Sequence, residues 1–287
     1  MRGYYPPRPA RRECHNGVAM EQHDPLIEIR DLHFAYGKRK VLNGLTLDIP
    51  RGKVSAILGI SGSGKTTLLQ LIGGSLRPSR GSVKVCGEIV HELDTEALYA
   101  LRRNVGMMFQ KGGLFSDLTV FENIAFPIRE HTSLPEPVIR DLALMKLHAV
   151  GLRGAYKLKP TELSGGMARR VALARATALD PQLIIYDEPF AGLDPITLHV
   201  VRHLIRTLND ALGATSVVVT YDVHEAKRLA DYIFVIGDGV IVGEGPTEQM
   251  LESKHPFVHQ FLHAEPDGPV PYHWPARPIA EELAIRP

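Results

Sequence analysis

Three short aliphatic runs stand out along the chain: Val54–Leu58, Leu183–Tyr186 and Ser216–Thr220. Each is continuous rather than alternating and stops at turn or polar residues, the pattern of parallel strands buried on both faces. Leu26–Arg30, His33–Tyr36, Val41 and Leu45–Ile49 give shorter β-rich stretches. Ser82–Val85 and Glu88–Val90 continue them, punctuated by Gly81 and Gly87. Between the aliphatic runs apolar residues recur at helical spacing, most clearly Ile196, Val200, Val201, Leu204, Ile205, Leu208 and Leu212. This alternation predicts a layered α/β domain around a parallel sheet. From about residue 112 to 162 the strand signals stop and helical stretches such as Glu136–Val150 take over, so a helical insertion is expected there. Tyr232–Ile236 and Val240–Val242 flank Gly237-Asp238-Gly239 and predict a hairpin.

The ends break the pattern. Residues 1–24 carry Pro6, Pro7, Pro9 and four arginines with few large aliphatics, so they can bury little and are expected to form a disordered arm. Ordered patterning begins at Leu26, which also suits a translation start at Met20. After Phe261 prolines return, and residues 255–287 read as an extension beyond a domain of residues 25–254. That extension is either a solvated end or an arm whose Tyr272 and Trp274 anchor on a neighbouring subunit.

Composition narrows the class. Thirty-three Lys and Arg against 32 Asp and Glu leave a formal charge of +1, which argues against nucleic acid as a partner. Cys14 and Cys86 alone cannot build a disulfide scaffold or a four-cysteine metal site, and suit a reducing compartment. No apolar run approaches the ~20 residues needed to span a bilayer. The histidines show no paired metal-ligand spacing.

The chemistry is concentrated in three segments. Gly59-Ile60-Ser61-Gly62-Ser63-Gly64-Lys65-Thr66 fits the phosphate-binding pattern G-x-x-x-x-G-K-[ST], placed after a strand and before the helical run Thr67–Ile72. Glycines let backbone N–H groups turn toward phosphate oxygens, and the helix start adds positive potential. Lys65 is suited to the β- and γ-phosphates and the Thr66 hydroxyl to Mg²⁺. Asp187 ends the second aliphatic run, where an acid can serve the Mg²⁺ shell, and Glu188 follows it as a candidate base for an attacking water. Ser164, Gly165 and Gly166 precede the helical run Ala168–Ala178 and offer a helix-start anion site; read alone, they are better taken as an N-cap.

In this order the motifs resemble the nucleotide-binding subunits of ATP-binding-cassette (ABC) transporters, from about Leu26 to Leu251. The resemblance implies a P-loop NTPase of the ABC type, with a mixed-sheet core, an antiparallel β lobe and an inserted helical subdomain. It makes Gly59–Thr66, with Thr67, the nucleotide loop, Leu183–Glu188 the Walker B strand and Leu163–Met167 the signature loop. Gln110 takes the position that contacts Mg²⁺ and the attacking water, and Asp194, in Ala191-Gly192-Leu193-Asp194, lies in the loop that crosses to the opposite subunit. Tyr36 matches the aromatic that stacks on adenine; on its own it reads as a packed strand residue.

Phe109–Phe115, Phe121–Pro127, Leu163–Arg170 and Asp267–Tyr272 are similar to the ATPase subunits of systems that move phospholipids between the bacterial membranes. That resemblance implies ATP and Mg²⁺, a head-to-tail homodimer, a permease pair, a membrane-anchored MCE-type lipid-binding subunit and a small STAS-domain subunit. It also implies a peripheral place on the cytoplasmic side of the inner membrane, and a tail that grips the opposite subunit.

One position departs from the family. Tyr221, in Thr220-Tyr221-Asp222, stands where a histidine normally reaches the γ-phosphate. A phenol offers one O–H on a longer, bulkier ring, so ATP binding is expected to survive while hydrolysis is impaired, unless Glu188 and Gln110 suffice. The chain therefore reads either as an energy-coupling ATPase or as an ATP-dependent dimer clamp or regulatory scaffold.

Overall fold

The structure, a computed structural model, describes residues 24–110 and 112–270. The N-terminal arm as far as residue 23, Tyr272 and Trp274 lie outside the described residues. An antiparallel lobe is built from β1 (Ile27–Tyr36), β2 (Arg39–Ile49), β4 (Arg80–Val85) and β5 (Glu88–Ile89), in the order β2-β1-β4-β5. The central sheet contains β3 (Val54–Gly59), β6 (Val105–Met108), β7 (Leu183–Asp187), β8 (Thr215–Val219), β9 (Tyr232–Gly237) and β10 (Val240–Pro246). Its order is β10-β9-β3-β8-β7-β6, and every pair is parallel except β9 with β10. This is the mixed-sheet core with an antiparallel lobe that the motifs implied.

The aliphatic runs form β3, β7 and β8 because both faces of the sheet are covered. Along β7 alternate side chains serve different cores. Ile184 and Tyr186 pack with α3 (Val120–His131), α4 (Glu136–Ala149), α5 (Gly165–Ala176) and α6 (Pro195–Leu212). Leu183 and Ile185 pack with α1 (Lys65–Ile72) and the antiparallel lobe. A strand buried twice has no polar face to show, hence its unbroken hydrophobicity.

The expected helical insertion holds α3 and α4. Thr119 caps α3 by accepting from the Glu122 N–H at 3.1 Å. Fully buried Asn123 then holds the preceding loop: it accepts from the Phe115 N–H at 2.8 Å and donates to the carbonyls of Phe115 and Thr119 at 3.1 and 3.0 Å. The predicted hairpin is β9–β10, with Asp238 and Gly239 both left-handed (φ 50° and 77°), as a two-residue type I′ turn requires.

Two features were not anticipated. β6 is a strand of four residues beside β7, preceded by α2 (Thr95–Arg103). Near the C-terminal end, α7 (Val223–Leu229), α8 (Thr247–Leu251) and α9 (Pro256–His263) pack on the sheet. Val258 and Leu262 of α9 enter a core with Ala56, Leu58 and Val235, past the boundary read at residue 254. Gln260 carries the backbone onward, accepting from the Val270 N–H at 2.8 Å and donating to its carbonyl at 3.1 Å. Among the described residues no helix is long and apolar enough to cross a membrane.

Candidate functional site

Parallel register assembles the site. Val219 on β8 pairs with Ile57 on β3 and with Asp187 on β7, and Met108 on β6 pairs with Tyr186 on β7. The residues that follow these strand ends, Gly59 onward, Gln110, Glu188 and Tyr221, therefore meet at one edge of the sheet, where open α/β sheets carry their ligand crevices. A cleft of about 340 Å³ lies there, lined by Tyr36, Arg39, Val41, Ser61, Gly62, Gly64, Lys65, Thr66, Thr67, Gln110, Glu188 and Tyr221.

The loop from Gly59 to Thr66 wraps because Gly62 and Gly64 are left-handed, at φ 80° and 99°. A Cβ on Gly64 would lie 2.9 Å from Leu42 Cδ2, so β2 closes against the loop. Lys65 is buried, and its ammonium donates to the carbonyls of Gly59 at 2.7 Å and Ile60 at 3.0 Å. Those bonds leave one of its three N–H donors for another acceptor. Burial pulls the Lys65 pKa down, while the charges of Glu188 and Asp187 act in the opposite direction.

Asp187 and Glu188 are both nearly buried at the end of β7. Glu188 is left-handed (φ 47°), a conformation that costs a non-glycine residue about 1–3 kcal/mol and is common at functional sites. Its N–H donates to the Val219 carbonyl at 2.8 Å. One carboxylate oxygen, Oε2, accepts from the Thr220 hydroxyl at 3.0 Å and from the Tyr221 N–H at 3.3 Å. Desolvation raises the Glu188 pKa, and those two bonds and Lys65 oppose it. The Asp187 pKa is likewise raised by burial, against the nearby Lys65 and Arg169.

Tyr221 contributes its backbone to this arrangement. The residue is 55% exposed and lines the cleft. The grip on Glu188 therefore uses a main-chain N–H that any non-proline residue supplies. Tyr36 is half-exposed, edge-on to Phe34, and its hydroxyl donates to Gln70 on α1 at 3.2 Å, which fixes the ring beside the cleft. Thr66 lines this cleft and also a second cavity that contains Asp187.

The other expected residues gather elsewhere. Ser164 caps α5, accepting from the Met167 N–H at 3.2 Å, and Asp194 caps α6, accepting from Ile196 and Thr197 at 3.0 Å each. These caps adjoin: a Cβ on Gly166 would sit 2.4 Å from Thr197 Cγ2. Ser164, Gly165, Gly166 and Asp194 do not line the cleft of their own chain.

Three further residues support the site. Arg39 lines the cleft from the β1–β2 hairpin. Half-buried Arg169 reaches the carbonyls of Phe109 at 3.5 Å and Ala191 at 3.4 Å, spanning the segments before Gln110 and Asp194. Thr220 holds Glu188. A basic residue in the first turn after Ser164 was the only hint for Arg169.

Residues 42–191 match the ABC transporter family. The chain is 53% identical over 258 residues to the intermembrane phospholipid transport system ATP-binding protein MlaF of Haemophilus influenzae, covering 90% of this chain and 98% of that protein. It is 50% identical over 251 residues to MlaF of Escherichia coli K12, covering 88% and 93%. Among solved structures, the dimeric post-hydrolysis state of the ATP-binding cassette MJ0796 bound to ADP and Pi is similar, with TM-score 0.71 and 32% identity over 77% of this chain and 98% of that one.

Proposed function

This chain belongs to the ABC transporter family of ATP-binding subunits, and from that premise we propose that it powers phospholipid movement between the inner and outer membranes of a bacterium. The observation that carries this reading is the 50–53% identity with two MlaF proteins, sustained over about nine-tenths of this chain and nearly all of theirs. In this reading two copies associate head to tail. The Ser164–Gly166 turn and Asp194 of one subunit then face the Gly59–Thr66 loop of the other, which gives a function to residues lying outside their own cleft. The MJ0796 cassette was solved as a dimer, and the C-terminal extension is suited to gripping the opposite subunit. A permease pair, an MCE-type lipid-binding subunit and a small STAS-domain subunit complete the assembly. The ATPase sits at the cytoplasmic face of the inner membrane.

In the cleft, Tyr36 stacks on adenine, and the backbone of Ser61 to Thr67 and the free Lys65 donor bind the phosphates. Glu188 accepts a proton from a water that Gln110 helps orient. The water oxygen bonds to the γ-phosphorus as the bond to the β-phosphate oxygen breaks, and ADP and phosphate leave. Thr66, Gln110 and Asp187 supply an all-oxygen donor set, and two of them share one cavity. This suits Mg²⁺, which uses few protein ligands and keeps several waters. When bound, the ion neutralises charge on the β- and γ-phosphates. Binding of ATP draws the two halves together, and its hydrolysis releases them.

Phosphate release by the full chain with its membrane subunits tests the reading. Glu188→Gln is expected to lower kcat by about 10²- to 10⁴-fold with nucleotide binding kept, the range for loss of a general base. The wild-type complex is expected to move phospholipid in an ATP-dependent way. An active ATPase that transfers no phospholipid in the reconstituted complex would remove the substrate assignment.

A further inference from the structure

We propose that Thr220 is a positioning residue for hydrolysis, its hydroxyl fixing the Glu188 carboxylate so that Oε1 is presented to the attacking water. The inference rests on Glu188 being the base, as argued above.

Thr220 is fully buried at the end of β8 and is tied down in three directions. Its N–H donates to the Ile57 carbonyl at 3.2 Å, which joins it to the strand that runs into the phosphate loop. Its hydroxyl oxygen accepts from the Asp222 N–H at 3.0 Å. A backbone N–H can only donate, so the hydroxyl hydrogen is left for an acceptor, and the acceptor in reach is Glu188 Oε2 at 3.0 Å. The proton direction is therefore set by the network. Oε2 receives a second bond from the Tyr221 N–H at 3.3 Å, and among the described residues no hydrogen bond engages Oε1.

Two donors on one oxygen fix the carboxylate plane and leave its other oxygen for chemistry. The backbone beneath is held left-handed by the Glu188 N–H bond to Val219. Without the hydroxyl, only the longer Tyr221 bond orients the group, and rotation about the last side-chain torsion carries Oε1 away from the cleft. Near-attack geometry at such a site tolerates little displacement. Asp222 also caps α7 by accepting from the Glu225 N–H at 3.0 Å, so Thr220 sets the base and the start of the next helix in one register.

Valine at 220 keeps the shape and removes the hydroxyl; serine keeps the hydroxyl. In the full chain, Thr220→Val is expected to lower kcat by about 10- to 100-fold while the KM for ATP and nucleotide affinity stay within about twofold. Thr220→Ser is expected to stay within about threefold of wild type. In a Glu188→Gln background, Thr220→Val is expected to add nothing to the loss, because the two side chains act as one unit. Wild-type turnover in Thr220→Val, equal losses in the Val and Ser variants, or additive losses in the double variant would overturn the inference. If Thr220→Val fails to fold, a tenfold or greater loss of kcat in Thr220→Ser overturns it equally. Undiminished turnover in Glu188→Gln would instead remove the base assignment itself.

Discussion

Glu225 of α7 lies 3.2 Å from Arg202 of α6, both side chains nearly out of solvent. The facing atoms, Nη1 and Oε2, are not aligned as a hydrogen bond, so the attraction between them is Coulombic. Their remaining atoms reach outward: Arg202 Nη2 meets His199 Nδ1 at 2.8 Å and Glu225 Oε1 meets His224 Nδ1 at 3.0 Å. Because α6 starts at the Asp194 cap and α7 at the Asp222 cap, this pair binds the helix after the Ala191–Asp194 loop to the helix after Thr220 and Tyr221.

Removing one partner of a buried pair leaves an uncompensated charge. Arg202→Met or Glu225→Met alone is expected to destabilise the fold by about 3–5 kcal/mol, with much of that recovered in the double variant. Urea unfolding of the four proteins gives the coupling. Additive losses would mean the two residues do not act as a pair.

Lys65 presents a different case, since its ammonium is oriented by carbonyls of its own loop. Lys65→Ala removes a charged donor while the left-handed glycines that shape the loop remain. ATP affinity is expected to fall about tenfold or more, equivalent to ~1.4 kcal/mol or above. Titration with a fluorescent ATP analogue measures it, and tight binding by the variant would contradict the role.

Much of this was legible because the information was local. The Gly59–Thr66 loop carries its glycines, lysine and hydroxyl in eight consecutive residues, and β3, β7 and β8 declare double burial by unbroken hydrophobicity. The short β6 did not: Val105-Gly106-Met107-Met108 is a run of four containing a glycine, and its strand character comes from pairing with β7. Thr220 read as the end of a strand, because its bond to Glu188 spans residues far apart in sequence and exists only once β7 and β8 lie in register. The separation of Ser164–Gly166 and Asp194 from the cleft is likewise a property of the packed chain. Residues 255–287 read as an extension beyond the domain, yet their first part buries Val258 and Leu262 through a single helical face.

Gly106 shows why β6 is written with a glycine. A Cβ there would lie 2.0 Å from the Ala176 carbonyl oxygen and 3.0 Å from Pro181 Cγ, so the strand passes directly beneath the end of α5. The obstacle is backbone and cannot rotate away. Gly106→Ala is expected to destabilise the protein by about 1–3 kcal/mol or more, as overpacking does. Gly154→Ala, with open space around its Cβ, serves as the control. Matched thermal unfolding of the two variants would contradict the close approach.

The ring of Tyr221 is expected to bear on the rate, and its main chain on assembly of the site. Its N–H holds Glu188, and its exposed ring stands in the cleft. Tyr221→His keeps the main-chain bond and adds a ring nitrogen on a shorter side chain. One hydrogen bond worth ~1.4 kcal/mol in the transition state would raise kcat about tenfold, with ATP affinity and thermal stability unchanged. Tyr221→Phe separates the phenol from the ring: a rate equal to wild type would show that the hydroxyl contributes nothing, while a fall would show that it donates in the reaction. Steady-state phosphate release at saturating ATP measures all three. Equal rates for tyrosine and histidine would mean that Glu188, set by Thr220 and the backbone, is sufficient without an imidazole.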